Sequence, residues 1–222
     1  MVRYTLVIGN KNYSSWSLRA WLAMRQADIA FDELRVALFE AGYTAQIERY
    51  SPAGKVPVLV ADGVKVWDTL AICEFLAERH PDKQLWPADA AARAHARAIC
   101  AEMHSGFMAL RNALPMNIRS SHPGKGMTPE VQRDIERITA LWAQCRRDYA
   151  QGGELLFGHF TAADAFYAPV VSRFETYAVK LPAAARAYAD AVLRLPAMQE
   201  WMAAALRETE FIAEDEPYAT RP

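Results

Sequence analysis

The apolar pattern of this chain changes period once, near residue 80, and that change limits the fold more than any other feature. Before it, strand and helix signals alternate. Tyr4-Thr5-Leu6-Val7-Ile8 has the pattern of a short buried strand. Leu18, Trp21 and Leu22 then fall at helical spacing between Ser15 and about Ala27. Residues 31–38 read as a second strand, and a short helix fits around 45–49. Val58-Leu59-Val60 and Val64-Lys65-Val66-Trp67 flank Asp62-Gly63, a pair that suits a two-residue hairpin turn. Leu70, Cys73 and Leu76 share one face of a helix over 69–78. A crossover followed by a hairpin and a helix predicts a mixed four-stranded sheet with helices against it.

Beyond residue 80 the pattern is helical. The stretch 81–88, with Pro81 and Pro87, reads as a linker between an α/β domain at 1–80 and an all-α helical bundle at 89–222. Ile99, Met103, Phe107, Leu110 and Leu114 recur at spacings of three and four, which predicts a helix over about 89–114. Pro115 and the run Ser120–Gly126 end it. Thr128-Pro129-Glu130 opens the next helix, with threonine as cap and proline in the first turn. Val131, Ile135, Ile138, Trp142, Cys145 and Tyr149 form its stripe. Thr161-Ala162-Ala163-Asp164 has the form of a capping box. Two further helices fit 183–194 and 197–207, divided by Pro196.

Composition removes several function classes. A net charge of −1 argues against a nucleic-acid partner, which needs a basic face to displace counterions. No window approaches about 18 consecutive apolar residues, so no membrane span is expected. The start, Met1 to Ile8, lacks the charged and long apolar regions of a signal peptide. The three cysteines, Cys73, Cys100 and Cys145, lie far apart among apolar neighbours and read as buried free thiols. A cytoplasmic protein is the expectation from these features together.

Three local segments carry chemistry. Ser14-Ser15-Trp16-Ser17-Leu18-Arg19 places hydroxyls at a helix start. Lys55-Val56-Pro57-Val58-Leu59 puts a proline at a strand start. Asp68-Thr69 heads another helix. Taken alone, the hydroxyls and Asp68 read equally well as helix caps, Pro57 as a trans proline, and Lys55 as a solvated side chain. Equally, there is no Cys-x-x-Cys, no dinucleotide or phosphate loop, no Gly-x-Ser-x-Gly elbow and no zinc pattern among the five histidines.

In order and spacing these segments resemble the cytosolic glutathione transferases, and the resemblance covers nearly the whole chain. Ser14-Ser15-x-Ser17-x-Arg19 is similar to the serine-type first-helix motif of the zeta class. Lys55-Val56-Pro57 is similar to the family's cis-proline turn, and Asp68-Thr69-Leu70-Ala71-Ile72 to its acid-hydroxyl-x-Ala-Ile helix start. Gly158–Asp164 resembles the capping-box region of its helical domain. The resemblance implies a thioredoxin-like N-terminal domain, an all-helical C-terminal domain, glutathione as co-substrate and a homodimer. It also implies transfer of glutathione to a small electrophile, as in detoxification, or a glutathione-dependent cis–trans isomerisation. A non-catalytic binding protein of the same fold is the rival from another class.

Site expectations follow from the resemblance and from the chemistry of the ligand. A thiol with a pKa near about 8.5 is only a few per cent ionised at neutral pH. A hydroxyl at a helix start can donate a hydrogen bond to the sulfur anion, and the helix dipole acts in the same direction. Ser14 is the expected catalytic residue, because the family's lies five positions before the arginine, here Arg19. Ser15 is its neighbour and alternative. Val56, before Pro57, would offer N–H and C=O to the tripeptide as a short added strand. Asp68 and Thr69 suit the γ-glutamyl amine and carboxylate, and Lys55 the glycine carboxylate. Trp16, His104, Phe107 (or Met108) and Arg111 are expected on the substrate side, with Asn117 and Arg119 as weaker candidates. The histidine and arginine could equally cap or bridge helices.

Overall fold

A computed structural model describes residues 3–219. The outermost positions of the two expected domains, 1–2 and 220–222, lie outside the described residues. Strand β1 (Tyr4–Ile8) leads through a tight loop into helix α1 (Ser15–Gln26), then to β2 (Asp32–Arg35) and α2 (Tyr43–Glu48). The hairpin β3 (Val58–Ala61) and β4 (Val64–Trp67) follows, and α3 (Thr69–Arg79) closes the first half. The strand order is β2-β1-β3-β4, with β2 parallel to β1 and the remaining pairs antiparallel. This is the thioredoxin-like mixed sheet. The hairpin turns on Asp62 (φ 47°) and Gly63 (φ 88°), both in the left-handed region that the pair was chosen to tolerate.

The second half is helical: α4 (Ala90–Ser105), α5 (Met108–Ala113), α6 (Pro129–Tyr149), α7 (Ala162–Thr176), α8 (Ala183–Leu193) and α9 (Pro196–Ala205). The apolar stripe of α6 is buried at Val131, Ile135, Ile138, Trp142 and Cys145, as its spacing predicts. Pro196 opens α9 rather than merely dividing two helices.

Two expectations need correction. The second strand is confined to Asp32–Arg35, because it is an edge strand with mostly exposed side chains. The expected helix over 89–114 is two helices. Gly106 leaves helical geometry and Phe107 takes φ 59°, so the periodicity that runs through both belongs to one buried face of a broken rod. The stretch expected as a linker is packed against the helical half. Leu85 and Trp86 are buried, and the Leu85 carbonyl accepts the Ala162 N–H at 2.8 Å.

The two halves share one core, with α1 packed against α7 and α9. Trp21 and Trp201 meet edge to face at 5.2 Å across this junction. At its other end Asp164, wholly buried, completes the capping box of α7. One oxygen accepts from the Thr161 N–H (2.9 Å) and hydroxyl (3.2 Å). The other accepts from the Leu156 N–H (3.1 Å) and the Tyr188 hydroxyl (3.2 Å). Burial pushes its carboxyl up to about 6, against those four donors. Between the ordinary value and about 6 the folded chain therefore holds a proton that the unfolded chain has released. Stability from this group falls as pH rises through that window. The wild type should lose unfolding free energy relative to Asp164→Asn between pH 4 and pH 7, measured by urea denaturation at both. A pH-independent difference would contradict the shift.

Candidate active site

The β1–α1 loop sets the geometry. Asn10 accepts the Ser14 N–H through its carbonyl (2.8 Å), which turns the chain sharply into α1. Ser14 is the N-cap: its Oγ accepts the Ser17 N–H at 3.4 Å. The loop is held from outside its own domain. The Glu208 carboxylate accepts the N–H groups of Lys11 (2.7 Å) and Asn12 (2.9 Å). The Asn12 side chain exchanges bonds with Asn117 (2.9 Å) and the Arg119 N–H (2.9 Å). Arg119 also donates to the carbonyls of Glu208 and Glu210 and to the Tyr13 hydroxyl (2.8 Å). Asn117 and Arg119 thus brace the loop and do not face substrate.

Two adjoining cavities meet at Trp16, Lys55 and Val56. The first, about 430 Å³, is lined by Pro57, Asp68, Thr69 and His104. The second, about 380 Å³, is lined by Ser14, Ser15, Arg111, Arg173 and Asp215. The structure therefore gathers Ser14, Ser15, Trp16, Lys55, Val56, Pro57, Asp68, Thr69, His104 and Arg111 around a cleft of two neighbouring cavities with shared walls. Phe107 lines neither cavity. The break between α4 and α5 buries its ring in the core, while Met108 points out to solvent.

In the first cavity the Val56–Pro57 bond is cis. Among the described residues the N–H and C=O of Val56 have no hydrogen-bond partner. Asp68 caps α3, its Oδ1 accepting the Leu70 N–H at 2.9 Å, while Oδ2 lies 3.5 Å from His104 Nε2. Thr69 differs from expectation. Its hydroxyl donates to the Trp16 carbonyl (3.2 Å), so the helix N–H groups, not that proton, remain for an anion.

In the second cavity positive charge collects. Arg111 donates to the carbonyls of Gly106 (3.0 Å), Met103 and His104 (3.3 Å), bridging the break after α4, and its guanidinium lies 4.9 Å from the Trp16 ring. Arg173, on α7, donates to Leu114 O (2.8 Å) and Pro169 O (3.3 Å). Burial, then Arg111, lowers the Arg173 guanidinium to about 10, which leaves it charged. Asp215 faces the same space from the C-terminal segment, and burial raises its carboxyl to about 6. Arg19 is buried beneath Trp16, 4.3 Å from its ring, and its Nε donates to Phe166 O (3.2 Å). It acts as a bolt between the halves. The Tyr13 phenol also lines this cavity, but it donates to Glu216 at 2.7 Å.

Sequence reasoning missed Arg173 and Asp215. Arg173 left one signal, a basic residue within a helix that is mostly apolar and buried at every position but Glu175. Asp215 left none, since only the course of the last fifteen or so described residues brings it to the cleft.

Residues 13–79 match the family model for the N-terminal domain of glutathione S-transferases, and residues 128–204 that for the C-terminal domain. A probable maleylacetoacetate isomerase of Caenorhabditis elegans is 30% identical over 79% of this chain and 88% of its own length. Glutathione S-transferase Z2 of Arabidopsis thaliana is 27% identical over 85% of this chain and 88% of its own. Among solved structures, the holo form of a bacterial zeta-class maleyl pyruvate isomerase superposes with a TM-score of 0.70 at 21% identity, covering 93% of this chain and 100% of that one. A glutathione transferase homologue from Burkholderia, solved with bound glutathione, gives 0.69 at 22% identity over 91% and 98%.

Proposed function

The chain belongs to the glutathione S-transferase family, and from that premise we propose that it binds glutathione along this cleft and activates its thiol for attack on a small electrophile. The observation that carries the reading is that Val56 stands in the wall of both cavities. A peptide whose γ-glutamyl end meets the N-terminus of α3 and Asp68 can bond to the free N–H and C=O of Val56. Its cysteine then enters the second cavity, where Ser14 stands at the start of α1. Lys55 borders both spaces and is placed to meet the glycine carboxylate. Ser14 donates to the thiolate, and the N-terminal dipole of α1 adds to the same field. Calorimetry with reduced glutathione tests the reading directly: no heat of binding at millimolar peptide would end it.

The second cavity bears on the electrophile. Two guanidinium groups, Arg111 and Arg173, border it together with Ser14. They favour a substrate that carries a carboxylate beside an activated double bond. Addition and elimination of glutathione across a cis double bond, the isomerase reading, fits this charge better than transfer to an uncharged aryl halide. Comparing turnover of a cis-unsaturated dicarboxylate and an aryl halide separates the two. Turnover of neither, with glutathione bound, favours the binding-protein reading.

Asp215 opposes the two arginines in this space. Replacing it by asparagine should lower KM for an anionic electrophile about three- to tenfold at pH 7.5, since one partly buried charge at an effective dielectric near 20 acts on the scale of about 1 kcal/mol or more. Below its raised value of about 6 the wild-type carboxyl is itself neutral, so the difference should fade as pH falls towards 5. An equal KM in both proteins at pH 7.5 would remove Asp215 from specificity.

A homodimer, a cytoplasmic location and a detoxifying role complete the proposal. The edge strand β4 leaves Val64 and Trp67 exposed, which supports burial against a second copy. Three buried free thiols suit a reducing compartment. The division at 1–80 and 89–222 is kept as a proposal for the domain limits. Sedimentation at micromolar concentration tests the dimer.

A further inference from the structure

Ser17 belongs to the first-helix motif, and its hydroxyl stands behind that of Ser14. It is wholly buried and does not line the cleft. Its Oγ accepts the Gly9 N–H at 3.0 Å and lies 2.8 Å from Ser14 Oγ. At that distance either hydroxyl can donate to the other, and in the direction Ser14 to Ser17 the bond takes up the single Ser14 proton. A thiolate in the cleft needs that same proton. The conflict is resolved if the bond between the hydroxyls reverses, because a hydroxyl both donates and accepts at 2.8 Å.

We infer that Ser17 is a positioning residue that aims the Ser14 proton at the glutathione sulfur by donating its own proton to Ser14. This rests on the reading of Ser14 given above. The reversed chain runs from the Gly9 N–H to Ser17, from Ser17 to Ser14, and from Ser14 to sulfur. Every donor and acceptor in it is satisfied. Each link polarises the next, since all lie out of water beside the helix start. No proton is gained or lost: two hydroxyl protons rotate. Without Ser17 Oγ, the only hydrogen-bond partner of Ser14 Oγ among the described residues is the Ser17 N–H at 3.4 Å, too long to orient it strongly.

The cluster is built tightly enough to enforce this. A Cβ on Gly9 would stand 2.6 Å from Leu38 Cδ1 and 3.3 Å from Ser14 Cβ. Residue 9 thus lies close against the hydroxyl pair, and a side chain there would press on Leu38 and Ser14. The Gly9 N–H in turn fixes which lone pair of Ser17 is occupied, leaving its proton for Ser14.

The test titrates protein-bound glutathione by thiolate absorbance in four proteins: wild type, Ser14→Ala, Ser17→Ala and the double variant. Ser17→Ala should raise the bound thiol's pKa by about half to one unit, a three- to tenfold loss of thiolate below the pKa, with glutathione affinity within about threefold. Ser17→Thr, which keeps the hydroxyl, should restore the wild-type titration. In the Ser14→Ala background the further effect of Ser17→Ala should vanish, because there is no proton left to aim. A Ser17→Ala effect that persists in that background marks a merely structural role and overturns the inference. So does an unchanged titration in Ser17→Ala when Ser14→Ala shifts; the Ser14 reading then stands alone. An unchanged titration in Ser14→Ala removes both. If Ser17→Ala does not fold, Ser17→Cys supplies the comparison, its weaker donor giving a smaller shift of the same sign, and wild-type behaviour there counts against the inference.

Discussion

Ser14→Ala should raise the pKa of bound glutathione by about one to two units and lower kcat/KM about 10- to 100-fold at pH 6.5, while glutathione affinity stays within a few-fold. A hydrogen bond to a charged partner contributes roughly 1.5–3 kcal/mol, and one pKa unit corresponds to about 1.4 kcal/mol, so a single donor accounts for a shift of that size. Affinity changes little because Val56, Lys55 and the start of α3, not the hydroxyl, would hold the peptide. The substitution also removes the N-cap of α1, which costs about 1 kcal/mol and leaves a protein of ordinary stability folded. Ser15, buried in the same cavity wall, supplies the control: Ser15→Ala should titrate like the wild type. If Ser15→Ala shifts and Ser14→Ala does not, the roles are exchanged.

Asp164→Ala should cost about 3–5 kcal/mol of unfolding free energy at pH 7. The carboxylate takes four hydrogen bonds in a fully buried setting, two from backbone N–H groups that have no water to turn to. Its loss leaves the Leu156 and Thr161 N–H groups and the Tyr188 hydroxyl unpaired, each at about 1–3 kcal/mol, partly relieved by relaxation. The consequence reaches the cleft. The helix it caps, α7, carries Arg173 into the second cavity and offers the Phe166 carbonyl to Arg19. A lowered urea midpoint together with a raised KM for an anionic electrophile is expected. A loss below about 1 kcal/mol would mean that water or a shifted turn replaces the carboxylate.

Much of the cleft was legible before any coordinates. The hairpin at Asp62-Gly63 and the cap at Thr161 and Asp164 are short-range features, decided by φ preferences and by hydrogen bonds within a turn. The motif residues Ser14, Val56, Asp68 and Thr69 also lie at element starts, where local chemistry fixes direction. Phe107 shows where this fails. Its spacing continues the apolar stripe of α4, yet Gly106 breaks the helix, and burial satisfies the stripe equally well from two short rods. Thr69 fails differently, because its hydroxyl finds the Trp16 carbonyl more than fifty residues away in sequence. Arg173 and Asp215 meet only through the packing of the helical half, which no local pattern records.

Gly9 to Tyr13 is polar turn material by sequence, but Glu208, Arg119, Asn117 and Glu216 all reach into Lys11, Asn12 and Tyr13 from the other half of the chain. Grafting residues 1–80 onto the helices of a relative would therefore strip this turn of its clamps while leaving every cleft-facing side chain of the donated piece in place. The graft would be expected to keep its sheet and still misplace Ser14. A workable exchange between such enzymes has to carry residues 117–119 and the segment 208–216 along with the first half, so a cut at the joint near residue 85 alone separates the turn from the groups that hold it.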